Sequence, residues 1–196
     1  MKKHLLHLAL YCLTITSNAQ PTTPPALVKK QASGNFSDSL FKIVDGYRTN
    51  FASVQSRQLP SMPDADMYLS TTCLPGSMNC VILRYHSVED KTASWQALVY
   101  AGESFEEALK AYKNTFSQVK KSRMHSIAGK PASFEGSMEN PDENVRFAVS
   151  SLRLKTEDAL YRNLAAEVEL VGTYDGWEVH LNIYTKKRLD NREEDE

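Results

Sequence analysis

Two stretches of the chain carry their apolar residues at helical spacing. Between Ser39 and Arg57, the residues Leu40, Val44, Tyr47, Phe51 and Val54 recur at steps of four, three, four and three, which gathers them on one face of a helix. Between Ser104 and Ser122, Phe105, Leu109, Tyr112, Phe116 and Val119 follow the same steps. The second helix opens on Ser104-Phe105-Glu106-Glu107, a capping box in which hydroxyl and carboxylate answer backbone N–H groups that the first turn leaves free.

The other ordered segments alternate with period two, the strand pattern. Met67 to Cys73, Cys80 to His86 and Trp95 to Ala101 follow the first helix; Val145 to Leu154, Ala165 to Val171 and Trp177 to Tyr184 follow the second. The last is the clearest, with Trp177, Val179, Leu181 and Ile183 on one side and Glu178, His180, Asn182 and Tyr184 on the other. Asp175-Gly176 just before it supplies a hairpin turn.

The halves resemble each other. A shift of 65 residues lays Ser39 on Ser104, Tyr47 on Tyr112, Phe51 on Phe116 and Val54 on Val119, and each half carries a Gly-Ser-Met turn, at Gly76 and at Gly136, offset by 60. The expected fold is α+β: two tandem units of one helix and three antiparallel strands (αβββ-αβββ) in two layers, with the helices on one sheet face and each Gly-Ser-Met turn joining its unit's first two strands. In element order alone this resembles the secreted β-lactamase-inhibitor proteins; no residue motif carries the likeness, so no site follows from it.

The ends have a different character. Lys2 and Lys3, the apolar run from Leu5 to Ile15 and the small residues Ser17 and Ala19 form a secretory signal peptide over 1–19, too short to span a membrane. Residues 20–35, with Pro21, Pro24 and Pro25, read as a linker, and 187–196 as a charged, solvated tail. The folded part divides into units at 36–102 and 103–186. Export to the periplasm or the medium follows, and with it an oxidising compartment for Cys73 and Cys80. These two remain once Cys12 is removed, and they flank the turn-forming stretch Leu74 to Asn79, so a disulfide is expected. The formal net charge of -1 in the whole chain leaves no basic excess for a phosphate backbone, so nucleic acid is excluded as the main partner.

Catalytic motifs are absent from the sequence. It has no H-E-x-x-H, C-x-x-C, G-x-S-x-G or glycine-rich phosphate loop, and His86, His125 and His180 are far apart along the chain, so neither metal nor other cofactor is expected. What remains is surface. Simple alternation puts Tyr68, Arg84, His86, Gln96, Tyr100, Arg146, His180, Asn182 and Tyr184 on the sheet face away from the helices, and Tyr, Arg and His are residue types that favour interfaces. Two functions fit: an exported, non-catalytic module that recognises an envelope or extracellular protein, peptide or glycan through this face, or a small periplasmic hydrolase with His86 or His180 as base.

Overall fold

The computed structural model describes residues 34–88, 91–127 and 130–186, with backbone alone at 125–127 and 130. The signal-peptide, tail and nearly all of the linker assignments lie outside the described residues.

The first helix, α1 (Phe36–Gly46), is capped by Asn35, whose side chain accepts the Asp38 N–H at 3.0 Å. It stops eleven residues short of the expected end at Arg57. Two short 3-10 turns, Tyr47–Thr49 and Ala52–Val54, follow, separated by Asn50 and Phe51 at left-handed φ of 51° and 61°. Asn50 holds this bend: its side chain accepts the Ala93 N–H at 2.7 Å and donates to the Lys91 carbonyl at 3.0 Å. Leu40, Val44, Phe51 and Val54 are nevertheless all buried. The apolar spacing therefore located core residues correctly while the backbone left the helix.

The second helix, α2 (Phe105–Lys121), starts where its capping residue requires, Ser104 accepting the Glu107 N–H at 3.2 Å. The Glu107 carboxylate does not complete the box; it accepts the Tyr100 hydroxyl at 3.2 Å. Ala108, Tyr112, Thr115, Phe116 and Val119 are its buried residues, with Leu109 only half-buried.

All strands among the described residues join one antiparallel sheet. They are β1 (Gln55–Gln58), β2 (Ala65–Ser70), β3 (Asn79–Tyr85), β4 (Ser94–Gly102), β5 (Arg123–Ile127), β6 (Lys130–Gly136), β7 (Phe147–Lys155), β8 (Leu164–Thr173) and β9 (Gly176–Thr185), in the order β1-β2-β3-β4-β9-β8-β7-β6-β5. Each half runs as a meander from an edge toward the centre, where β4 pairs with β9. Both helices and the inward rows, among them Ile82, Trp95, Val168, Leu181 and Leu152, belong to one core cluster, so the described residues form a mixed α+β fold with nine strands and two helices. No helix among the described residues is long and apolar enough to cross a membrane.

Four strands follow α1 and five follow α2, where three were expected after each. The additional ones are β1, β5 and β6. Consequently the Gly76 turn joins β2 to β3 and the Gly136 turn joins β6 to β7, neither of them the first pair of its half. Were the halves copies, with both helices on one face and β4 antiparallel to β9, a two-fold normal to the sheet would relate them. Such an axis would match β2 with β7 and β3 with β8, whereas the Gly-Ser-Met turns join β2 to β3 and β6 to β7, so the two turns are not equivalent connections.

Cys73 and Cys80 form the expected disulfide, with Cα atoms 5.6 Å apart, closing the link between β2 and β3. Inside the loop Leu74 is buried, and the Met78 N–H reaches the Leu98 carbonyl at 2.8 Å. Replacing both cysteines with alanine should lower stability by about 2–3 kcal/mol, the entropy of so short a closed loop. Urea unfolding of the double variant measures this, and an unchanged midpoint would contradict it.

Candidate functional site

The outer sheet face, opposite the helices, is built by β3, β4, β9 and β8. On β9 the inward row Trp177, Val179, Leu181 and Ile183 is at most 5% exposed, which leaves Glu178, His180, Asn182 and Tyr184 outward. Register carries the same phase to the neighbours: Gln96 and Glu167 flank Asn182, and Leu98 and Glu169 flank His180. Leu83, Tyr85, Ser94, Gln96, Glu167, Glu169, Asn182 and Tyr184 line a half-open concavity of about 460 Å³ on this face.

Five residues assigned to this face by alternation stand elsewhere. Arg84 and Tyr68 lie on the helix side, because Cys80 and Ile82 point into the core and Tyr68 pairs with Ile82. Val81, Ile82 and Leu83 form a continuous apolar run, whose alternation cannot tell one face from the other. Arg84 instead pins the bend after α1, donating to Gln55 Oε1 at 2.7 Å and to the Asn50 carbonyl at 2.9 Å. His86, just past β3, has its Nε2 3.3 Å from Asp66, whose carboxyl is held below its usual value by hydrogen bonds from Ser61 and then His86. Tyr100 is turned inward by a bulge between Leu98 and Tyr100 and reaches Glu107 at the start of α2. Arg146 precedes β7 at φ 59°, and its guanidinium sits 5.0 Å from the Trp177 ring centroid. Gln96, His180, Asn182 and Tyr184 do stand on the outer face.

The concavity holds an acidic network that the sequence reading did not single out. Glu167, whose side chain is 12% exposed, accepts hydrogen bonds from Lys186 Nζ at 2.8 Å and from the Ser151 hydroxyl. Burial pushes its carboxyl up, but the hydrogen bonds from Lys186, Ser151 and Tyr184 and the Lys186 charge outweigh this and hold it below the usual 4.5. Tyr184 is pushed up, chiefly by burial and then by its bond to Glu167. Among the described residues Glu169 has no hydrogen bond or ion pair, and Asn182 Oδ1 and His180 Nδ1 are buried without a partner. The other ring nitrogen of His180 lies 2.8 Å from Glu178. The available signal for Glu167 and Glu169 was their position between Ala166, Val168 and Leu170, polar residues alternating with an apolar row.

Because the Glu167 carboxyl is depressed on folding, the stability it contributes is present above its unfolded pKa and is lost as pH falls through the folded one. Glu167→Gln should therefore cost about 1–3 kcal/mol at neutral pH, the scale for hydrogen bonds to a buried charge. Its deficit relative to the unsubstituted protein should shrink below about pH 4. Unfolding measured across pH checks this; a deficit independent of pH would contradict it.

Among the described residues no group of three or more His, Cys, Asp or Glu side chains is placed to hold a metal ion. Neither His86 nor His180 has a hydrogen bond to a serine, threonine or cysteine among the described residues. Comparison with known proteins returns no family model, no curated protein and no solved structure that matches the chain, and the observed order of four strands after α1 and five after α2 departs from the one-helix, three-strand order on which the likeness to the β-lactamase-inhibitor proteins rests.

Proposed function

We propose that the protein is an exported, non-catalytic binding module that recognises a protein, peptide or glycan of the envelope or extracellular space through its outer sheet face. The observation that carries this is the half-open 460 Å³ concavity, where polar side chains of β4, β8 and β9 converge beside Tyr85 and Tyr184. Large aromatic area joined to fixed polar groups suits recognition. The scaffold reads as two helix-and-meander units joined at β4 and β9, which spreads one continuous face across both. Export rests on the N-terminal signal-peptide pattern, and the disulfide is compatible with it. Exported protein should begin at Gln20, which its intact mass reports; a retained Met1 would contradict processing.

The binding reading is tested by affinity capture from the native envelope with three baits: the unsubstituted protein, Gln96→Arg and Lys110→Glu. Gln96→Arg places a long cation in the concavity, whereas Lys110 lies exposed on α2, on the helix side. The reading expects partners common to the unsubstituted protein and Lys110→Glu to be lost with Gln96→Arg. Identical recovery by all three would contradict it.

A further inference from the structure

The polar atoms of the concavity are unevenly used. Around Glu167, Lys186, Ser151 and Tyr184 all turn their protons to that carboxylate. Two acceptors nearby are left unanswered. Asn182 Oδ1 is buried with no donor, and the Glu169 carboxylate, in the same lining and two residues along β8, has no partner among the described residues. A buried acceptor left without a donor destabilises the protein, and a ligand carrying donors would relieve that cost. The charge has the same sense. Three carboxylates, Glu167, Glu169 and Glu178, stand on these outward rows against Lys186, which already pairs with Glu167.

Resting on the proposed binding role, we infer that the concavity takes a cationic side chain, arginine or lysine, from a partner polypeptide. A guanidinium has five donors and no acceptor, which complements the unpartnered Glu169 carboxylate and Asn182 Oδ1. Tyr85, 51% exposed, lines the same concavity and puts an aromatic ring within reach of an entering cation. A neutral sugar fits less well, since its hydroxyls bring no charge to answer the unpaired Glu169 carboxylate. The occupant is therefore set by charge complementarity, with the concavity open enough to admit a side chain still attached to its backbone.

The test is an NMR titration of the purified protein with N-acetylarginine methylamide, its neutral citrulline counterpart and chitotriose. The arginine compound should shift the backbone amides of Gln96, Glu169 and Asn182, and the citrulline compound should bind at least about tenfold more weakly, the scale of one charge-assisted contact. Glu169→Gln should weaken arginine binding by a similar factor while keeping the native amide spectrum, and Glu135→Gln, on β6 outside the concavity, should leave it unchanged. Equal binding of arginine and citrulline compounds would overturn the inference, as would shifts at these amides with chitotriose alone or with none of the three probes. In each of those cases loss of envelope capture by Gln96→Arg would still uphold the outer face as a binding surface, so the two proposals fail separately.

Discussion

Phe51→Ala should destabilise the protein by about 3–5 kcal/mol, the range for emptying a buried aromatic site. Phe51 is fully buried in the core cluster, its ring 6.0 Å from that of Tyr47, and its N–H bonds the Gly46 carbonyl at 2.8 Å. Alanine at this position keeps the left-handed φ of 61° and the same backbone bonds, so the loss reports the ring alone. Its neighbours cannot collapse easily, because Asn50 is fastened to the segment before β4 and Arg84 to Gln55. Phe116→Ala on α2 falls in the same range, whereas His86→Ala, at a half-exposed side chain, stays near about 0.5 kcal/mol. Chemical unfolding of the three variants gives the comparison; a Phe51→Ala loss below about 1.5 kcal/mol would show that the bend after α1 is not part of the cooperative core.

Gly176→Ala is expected to cost about 2–4 kcal/mol, for two reasons that add. Gly176 has φ 135°, a region that side chains rarely enter, and a Cβ built there meets the Gly102 carbonyl oxygen at 2.4 Å and Glu103 Cα at 2.8 Å. Both are backbone atoms, so no side chain can swing aside. The strain falls where β9, the end of β4 and the capping residue of α2 meet, at the seam between the two halves of the sheet. Calorimetry should show a lowered midpoint, and hydrogen exchange should quicken in the first turn of α2. A variant as stable as the unsubstituted protein would mean that the β8–β9 hairpin can reposition freely, against the packing described.

How far the sequence carries depends on which physical signal each element sends. The start of α2 was legible because Ser104 is a chemical marker, and β9 because its two faces differ sharply in polarity. The α1 segment misled for an instructive reason: core positions on a helix followed by 3-10 turns keep nearly helical spacing, so Phe51 and Val54 are buried even though Asn50 and Phe51 break the helix. Strands β1 and β5 escaped notice as edge strands, needing no strong alternation to be held by one neighbour. In β6, Pro131 and Ala132 dilute the pattern, and among its described side chains only Ala132 and Phe134 are buried.

The outer face shows the same division. Where one row is apolar and the other polar, as in β9, residues were assigned to the correct side; where both rows are apolar, as in β3, Arg84 was not. The bulge at Leu98 to Tyr100 reverses phase in mid-strand, which period alone does not reveal. Glu167 and Glu169 were visible as polar alternates on β8, but their importance comes from what stands opposite them: Asn182 and His180 across the ladder, and Lys186 and Ser151 from other segments. That convergence is a property of register, fixed only when the nine strands are assembled.

The central claim is that recognition takes place on the outer sheet face and not on the helix side. Photo-crosslinking amino acids placed one at a time at Gln96, Tyr85 and Lys110 in the intact chain, illuminated in living cells, read that claim most directly. The account predicts a discrete adduct from Gln96 and from Tyr85, in and beside the concavity, and none from Lys110 on α2. An adduct confined to Lys110, or no adduct from either position on the sheet, would contradict it.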